Sequence, residues 1–122
     1  MATITLTLVP GQTASPPVGL PMATPNWQVG GVSCLMNFSG GGPAVAGTGG
    51  VTLQVSNDPN ANPNNTPAQI NAARWNAHDV LNAVTGDRNS SIVFPVVYAR
   101  LIGAVASGTV ACQIGLPDGY GH

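Results

Sequence analysis

Four runs of alternating apolar and polar residues constrain the fold of this chain more than any other feature of its sequence. In the first run, Ile4, Leu6 and Leu8 alternate with threonines. The runs at 32–38, 51–56 and 109–114 have the same period of two. Because successive side chains of a β-strand point to opposite faces, each run predicts a strand buried on one face.

A fifth segment, 91–106, is apolar on both faces and is interrupted by Pro95. Its apolar residues are Val97, Ala99 and Leu101 on one face, and Tyr98 and Ile102 on the other. Because proline breaks a strand ladder, we expect two strand pieces or one bent strand. A strand that is apolar on both faces is either central in a sandwich or covered by another subunit.

Turn-forming residues separate these runs. Ser107-Gly108 predicts a tight hairpin, 39–50 is a glycine-rich connection and 57–65 is a turn-rich Asn/Pro loop. One helix is predicted at 66–73, where Thr66 can cap and Pro67 suits the first helical position. With 122 residues, the chain has room for one domain. We therefore predict an all-β fold: a single antiparallel β-sandwich or jelly-roll-like domain over 1–122, with long Pro/Gly/Asn-rich loops.

The segment 10–30 is rich in proline and predicts extended backbone. Its prolines include Pro16, Pro17, Pro21 and Pro25, none of which can donate a ladder hydrogen bond. Two interpretations remain open for this segment. It is either an arm that lies on a neighbouring subunit or a surface loop that crosses one end of the sandwich.

Charged residues are scarce: three Arg and four Asp, with no Lys or Glu, make up 6% of the chain. Soluble proteins have about 25%. Either partners cover much of the surface, or the protein is a soluble monomer with a Thr/Asn-rich coat, and we favour the first. Because the net charge is −1 and the arginines are dispersed, we expect no nucleic-acid partner.

Export and membrane signals are missing from the sequence. The first residues lack the basic region of a leader, and no apolar run reaches membrane-spanning length. We therefore expect synthesis in the cytoplasm and no membrane partner. Cys34 and Cys112 are expected to be free buried thiols, unless their strands are adjacent and allow a disulfide.

Catalytic motifs are also missing, so we predict no enzyme and no cofactor. Without lysine there is no phosphate-binding loop of the Walker type and no Schiff base. A hydrolytic triad at His78-Asp79 would need Ser90 or Ser91 as its nucleophile. On a strand, however, adjacent residues such as His78 and Asp79 point to opposite faces.

Metal-binding patterns are incomplete, and no bound metal is predicted. Asp58, Asn60, Asn62 and Asn64 have the spacing of a calcium loop, but Pro63 stands where glycine is needed and Gln69 replaces the bidentate glutamate. The alternative is a plain loop of Asx turns. Cys34, Cys112, His78 and His122 lack the spacing of a zinc site.

Four segments of the second half follow a recognisable order. A strand ending in Ser-Asn-Asp covers 53–58, and a strand starting with Trp covers 75–81. A Phe-Pro strand ending in aromatic-x-Arg-Leu covers 94–101, and a Ser-Gly-Thr-Val turn covers 107–110. Over 51–115 the chain resembles small β-sandwich virion proteins of tailed bacteriophages. It departs from them in the Asn/Pro insert at 57–65, and 1–50 lie outside the resemblance.

The resemblance implies a virion structural protein, most simply a capsid cement or decoration protein that binds the major capsid protein or other virion proteins as a homo-oligomer, a dimer or trimer. The expected interface residues are Pro16, Pro17, Pro21, Trp27, Val96, Tyr98 and Ile102. The expected structural ion pair joins Arg100 to Asp58 or Asp79.

Similar strand patterns occur in galactose-binding-like modules, which leaves a second function open. The chain would then be a carbohydrate-binding or adhesin-type module of a phage tail or fibre, with Trp27, Tyr120 and the Asn-rich loop on one exposed rim. Aromatic residues stack on sugars, but they also fill cores and interfaces. We expect Trp75 and Tyr98 to belong to the core.

Overall fold

The computed structural model describes residues 2–20, 32–39, 50–84, 86–92, 97–103, 105 and 108–116. Within these ranges the chain forms two antiparallel four-stranded sheets and very little helix, which confirms the predicted all-β class. The strands are β1 Ala2–Leu8, β2 Val18–Gly19, β3 Val32–Ser39, β4 Val51–Ser56, β5 Asn76–Ala77, β6 Arg88–Ile92, β7 Tyr98–Gly103 and β8 Thr109–Leu116.

The first sheet has the order β1-β8-β3-β6. Its strands bear out the period-two pattern, because apolar residues at alternate positions are buried. In β1, Leu6 and Leu8 are buried while Thr3, Thr5 and Thr7 are exposed. The same alternation buries Cys34 and Met36 of β3, and Val110, Cys112 and Ile114 of β8.

The second sheet has the order β2-β7-β4-β5. The segment predicted to be two strands or one bent strand is divided between the sheets, with β6 in the first and β7 in the second. Of the two alternatives predicted for a strand apolar on both faces, the structure shows the central one for β7, which lies between β2 and β4. Residues 106 and 107 of the predicted hairpin lie outside the described residues.

Strand β4 is buried along nearly its whole length, whereas its alternating sequence predicted burial on one face. Thr52 and Ser56 are buried together with the apolar positions. The Thr52 hydroxyl donates to Asn82 Oδ1 at 3.0 Å and accepts from Ala83 N at 2.9 Å. The Ser56 hydroxyl donates to the Arg74 carbonyl at 2.7 Å. Loops that follow β4 in sequence thus cover its polar side and satisfy its hydroxyls.

The strands pair from the two ends of the chain inward. β1 pairs with β8, β2 with β7, β3 with β6 and β4 with β5, all antiparallel. The pairs β3–β8 and β4–β7 complete the two sheets. Apolar residues from both sheets share one buried cluster, which includes Leu6, Met36, Leu53, Leu101 and Ile114.

Cys34 and Cys112 are both buried and free. Their strands are adjacent, but Cys34 lies opposite Ile114 and Cys112 lies opposite Met36. The two thiols are therefore displaced by two residues in register. Burial raises the pKa of each thiol to about 12, with the nearby Cys34 adding to the rise at Cys112.

The described part of the proline-rich segment, up to residue 20, is part of the second sheet. Ser15 is fixed to Leu101 of β7, because Ser15 N donates to the Leu101 carbonyl and Leu101 N donates to Ser15 Oγ, both at 2.8 Å. Gly103 N donates to the Thr13 carbonyl at 3.0 Å, and Leu20 is buried. Residues 13–20 therefore cover β7 of their own chain and do not form a free arm.

Helix α1 spans Pro67–Ala72 and confirms the predicted helix. Thr66 caps it by accepting a hydrogen bond from Gln69 N, and the Gln69 side chain accepts from Thr66 N at 3.1 Å. This reciprocal capping box satisfies backbone donors that a helix start otherwise leaves unpaired. Within the described residues, no helix has the length and apolarity needed to cross a membrane.

Candidate binding groove around Arg100

An open groove of about 440 Å³ lies between the N-terminal segment, the Asn/Pro loop, α1 and β7. Its walls combine rings and aliphatic groups with amides and one guanidinium. Residues that line it include Pro16, Pro17, Pro63, Pro67, Ile70 and Arg100. Small-molecule sites commonly have this mixture of apolar walls and a few polar groups.

Arg100 projects from β7 and is held by neutral groups on three sides. Its Nε donates to Gln54 Oε1 at 2.8 Å, and Gln54 is its cross-strand neighbour on β4. Its Nη1 donates to Asn71 Oδ1 of α1 at 3.2 Å. The guanidinium carbon lies 4.3 Å from the centroid of the Trp75 ring, a cation–π contact. Arg100 thereby joins the second sheet to the helix.

Partial burial lowers the pKa of Arg100, but an arginine keeps its charge at neutral pH. A guanidinium has five N–H donors, and the two hydrogen bonds described above use two of them. Trp75 is half-buried and donates from Nε1 to the Ile70 carbonyl at 2.9 Å. A positive group thus lies at the groove, with its orientation fixed by Trp75 and α1, and the hydrogen bonds to described residues leave some of its donors unused.

The structure does not have the expected ion pair between Arg100 and Asp58 or Asp79, because the described hydrogen bonds of Arg100 go to the neutral side chains of Gln54 and Asn71. Asp58 accepts from Asn60 N and from Arg74 N, each at 2.9 Å. These two backbone hydrogen bonds, that of Asn60 first, lower the pKa of Asp58. The Asp79 side chain is 88% exposed beside His78. Both carboxylates are therefore engaged or solvated elsewhere, and among the described residues Arg100 has neutral partners.

The Asn/Pro loop is a series of Asx turns, as the plain-loop alternative predicted. Asp58 Oδ1 accepts from Asn60 N, and Asn62 Oδ1 accepts from Asn64 N, each at 2.9 Å. Backbone N–H groups thus occupy side-chain oxygens that a calcium ion would need. In the described part of the chain, no three His, Cys, Asp or Glu residues are grouped so that they could hold a metal ion.

His78 has both ring nitrogens engaged by backbone groups and is 1% exposed. Its Nδ1 accepts from Val80 N at 3.2 Å and Leu81 N at 3.1 Å, while Nε2 lies 2.8 Å from the Ser91 carbonyl. These partners assign a neutral ring with the proton on Nε2. Neither nitrogen is therefore open to take a proton from a serine hydroxyl. The prediction that His78 and Asp79 point to opposite faces of a strand is wrong, because both residues follow β5 and Asp79 Oδ1 lies 3.5 Å from His78 Nδ1.

The predicted interface residues that the structure describes fall into two groups. Pro16 and Pro17 line the groove, and Tyr98 and Ile102 are half-buried on β7. Segment 13–20 of the same chain covers part of this strand, because Tyr98 pairs with Gly19 and Ile102 forms a bridge with Ala14. Pro21, Trp27 and Val96, like Tyr120 of the predicted sugar-binding rim, lie outside the described residues.

Sequence patterns did not predict the groove. Gln54, Trp75 and Asn71 meet Arg100 only because β4 is paired with β7 in one register and α1 packs nearby. The Arg100–Gln54 pairing would have been the only available signal, and it requires knowledge of that register.

The chain matches no family model, no curated protein and no solved structure. The strand order, the charge distribution and the groove are therefore the features from which a function can be inferred.

Proposed function

We propose that this protein is a jelly-roll virion structural protein of a tailed bacteriophage, most specifically a capsid cement or decoration protein. It would be made in the host cytoplasm and located in the virion, where it would stabilise the head by contacts with the major capsid protein and with copies of itself. The observation that carries the proposal is the inward pairing of the strands.

A jelly roll consists of eight strands in two sheets, with two Greek keys. It arises when a chain folds back on itself as one long ribbon, so that strand 1 pairs with 8, 2 with 7, 3 with 6 and 4 with 5, and the ribbon then wraps into two layers. All four of these pairs are present. A core shared by the two sheets supports their packing as a sandwich. Jelly rolls are typical of viral capsid and lectin domains.

The neutral surface favours the virion role over other uses of this fold. Seven charged residues in the whole chain provide little of the solubilising charge that soluble domains carry. The outer face of β1 consists of Thr3, Thr5 and Thr7. In a symmetric lattice, neighbouring subunits cover such surfaces, and many weak contacts add to a strong attachment. The role is mechanical, and it uses shape and hydrogen bonding in place of chemistry.

The test is removal of the gene from the phage that encodes it, followed by heating of the purified particles. We expect particles without the protein to release DNA at a lower temperature than wild-type particles. Adding the purified protein back should restore the release temperature, and an equal amount of bovine serum albumin should not. If mass spectrometry finds no copies in wild-type particles, the proposal is wrong.

The groove favours carbohydrate binding as a second candidate function, in a tail or fibre module. Amides of Gln12, Asn65 and Asn71 line it together with the Arg100 guanidinium, and such groups hydrogen-bond to sugar hydroxyls. The relevant variant is Arg100→Met, which keeps an apolar stem and removes the charge.

On a glycan array, this second candidate predicts selective binding by the wild-type protein and at least a tenfold loss in Arg100→Met. Arg88→Met is the matched control, because Arg88 is exposed and does not line the groove, and its binding should be unchanged. Circular dichroism would confirm that both variants are folded. A folded wild-type protein that binds no glycan would exclude this function.

A further inference from the structure

The two sheets end in four edge strands of very different length. In the second sheet, the edges β2 and β5 have two residues each. In the first sheet, β6 has five residues and begins at Arg88, whereas β1 has seven. Among the described residues, β1 pairs with β8 alone. The other side of β1 is therefore the longest open edge in the described part of the molecule.

Strand β1 lacks the features by which proteins protect an edge. Natural edge strands are blunted by charged residues, proline, bulges or short length. β1 has the sequence Ala-Thr-Ile-Thr-Leu-Thr-Leu, without charge or proline. Its register with β8 is continuous from Ala2–Leu116 to Leu8–Val110, so no bulge twists it away. Its outward N–H and C=O groups are thus arranged to pair with another strand.

The sequence of β1 is nearly the same in both directions around Thr5. In an antiparallel pair of two β1 strands centred on Thr5, each threonine lies opposite a threonine: Thr5 faces Thr5, and Thr3 faces Thr7. Ile4 then lies opposite Leu6 on the other face. Opposed residues of an antiparallel pair lie on the same face, and Thr–Thr pairs are among the favourable cross-strand contacts. No like charges meet in this arrangement.

We propose that β1 pairs antiparallel with β1 of a second copy of this chain, across a two-fold axis at Thr5, to form one continuous eight-stranded sheet. The contact is isologous, so it closes on itself and makes a dimer rather than a fibre. The inference does not depend on the virion function, since it concerns the purified protein alone.

Strand pairing by itself buries less area than the roughly 1,200 Å² of a stable interface. The dimer should therefore be weak in dilute solution and become populated at millimolar concentration or on a lattice. A covalent trap that reports register is consequently a better test than elution volume. The native thiols will not interfere, because Cys34 and Cys112 are buried and their pKa values are raised to about 12.

The experiment is oxidative cross-linking of full-chain variants that each carry one added cysteine, at millimolar concentration, followed on non-reducing gels. Opposed Cα atoms in an antiparallel pair are about 4.5–5.5 Å apart, within reach of a disulfide. We expect Thr5→Cys to form covalent dimers with itself. Thr3→Cys should do so at least tenfold more slowly, because in this register the two Thr3 residues are roughly 13 Å apart. An equimolar mixture of Thr3→Cys and Thr7→Cys should link rapidly.

Asn89→Cys is the matched control, since Asn89 is exposed on β6, the other edge of the same sheet. It should link no faster than Thr3→Cys alone. Equal rates for Thr5→Cys and Asn89→Cys would overturn the proposal, and so would a Thr3/Thr7 mixture that links no faster than Thr3→Cys. The mixture tests the register independently if Thr5→Cys proves poorly folded.

Discussion

Replacing Gly50 with alanine is expected to lower the free energy of unfolding by about 3 kcal/mol or more, through backbone strain and overpacking together. Gly50 is buried, with φ of +65°. A Cβ at this position would lie 2.5 Å from the carbonyl carbon and 2.6 Å from the oxygen of Ala83. Both the dihedral angle and the contact therefore oppose any side chain.

Ala83 cannot easily move away from an alanine at position 50. On either side of the contact, Val51 N donates to the Val84 carbonyl and Val84 N to the Val51 carbonyl, each at 2.9 Å. The Ala83 N–H also donates to the Thr52 hydroxyl at 2.9 Å. Moving Ala83 away to relieve the clash would break the hydrogen bonds that hold the loop containing Ala83 and Val84 on β4.

Chemical denaturation of the two matched variants Gly50→Ala and Gly86→Ala would measure the effect. Gly86 is exposed, and a Cβ there would meet no atom within 4 Å. We expect its replacement to change stability by no more than about 0.5 kcal/mol. If the two variants unfold at the same denaturant concentration, the prediction that a side chain at position 50 clashes with Ala83 is wrong.

Replacing His78 with leucine is the second change with a large expected effect, a loss of about 3 kcal/mol or more. The variant keeps an apolar side chain of similar volume but leaves Val80 N, Leu81 N and the Ser91 carbonyl without the ring. Each buried group that loses its partner costs about 1–3 kcal/mol. The ring also connects the loop after β5 to β6, so the variant should loosen that part of the structure first.

Two control variants separate the hydrogen bonds of His78 from its bulk and from any pairing with Asp79. His78→Asn keeps an acceptor near the position of Nδ1, so we expect it to retain roughly half of the lost stability. Asp79→Asn should change stability by less than about 0.5 kcal/mol, because that side chain is 88% exposed. Thermal melting followed by circular dichroism would measure all three. A result in which His78→Leu is as stable as Asp79→Asn contradicts the assigned hydrogen bonds.

Local patterns predicted the elements whose causes are local. The alternation in β1 and β8 depends only on the geometry of a strand, and the structure has both strands with Leu6, Leu8 and Ile114 buried. Helix α1 was predicted from Thr66 and Pro67, because a capping box lies within four residues. The Asx turns of the Asn/Pro loop likewise connect residues two apart.

Non-local pairing determined the parts that the sequence left open or indicated incorrectly. Arg100 was expected beside a carboxylate, but Asp58 already accepts from the backbone N–H groups of Asn60 and Arg74. The pairing of β4 with β7 places Gln54 at Arg100 instead. Residues 13–20 could not be distinguished from a free arm, because their hydrogen bonds are made to Leu101 and Gly103, far along the chain. For the same reason, nothing in the glycine-rich run showed that Gly50 is in close contact with Ala83.

The sequence by itself determined the all-β class, the buried faces of β1, β3 and β8, the short helix and the scarcity of charge. These follow from the period of two, from capping and from composition, which are properties of neighbouring residues or of the whole chain. Only the tertiary structure decided the inward order of strand pairs, the groove at Arg100 and the position of β1 at an edge of the described first sheet. Each of these depends on which distant strands meet and in which register, and that choice is made by the shared burial of both sheets in one core.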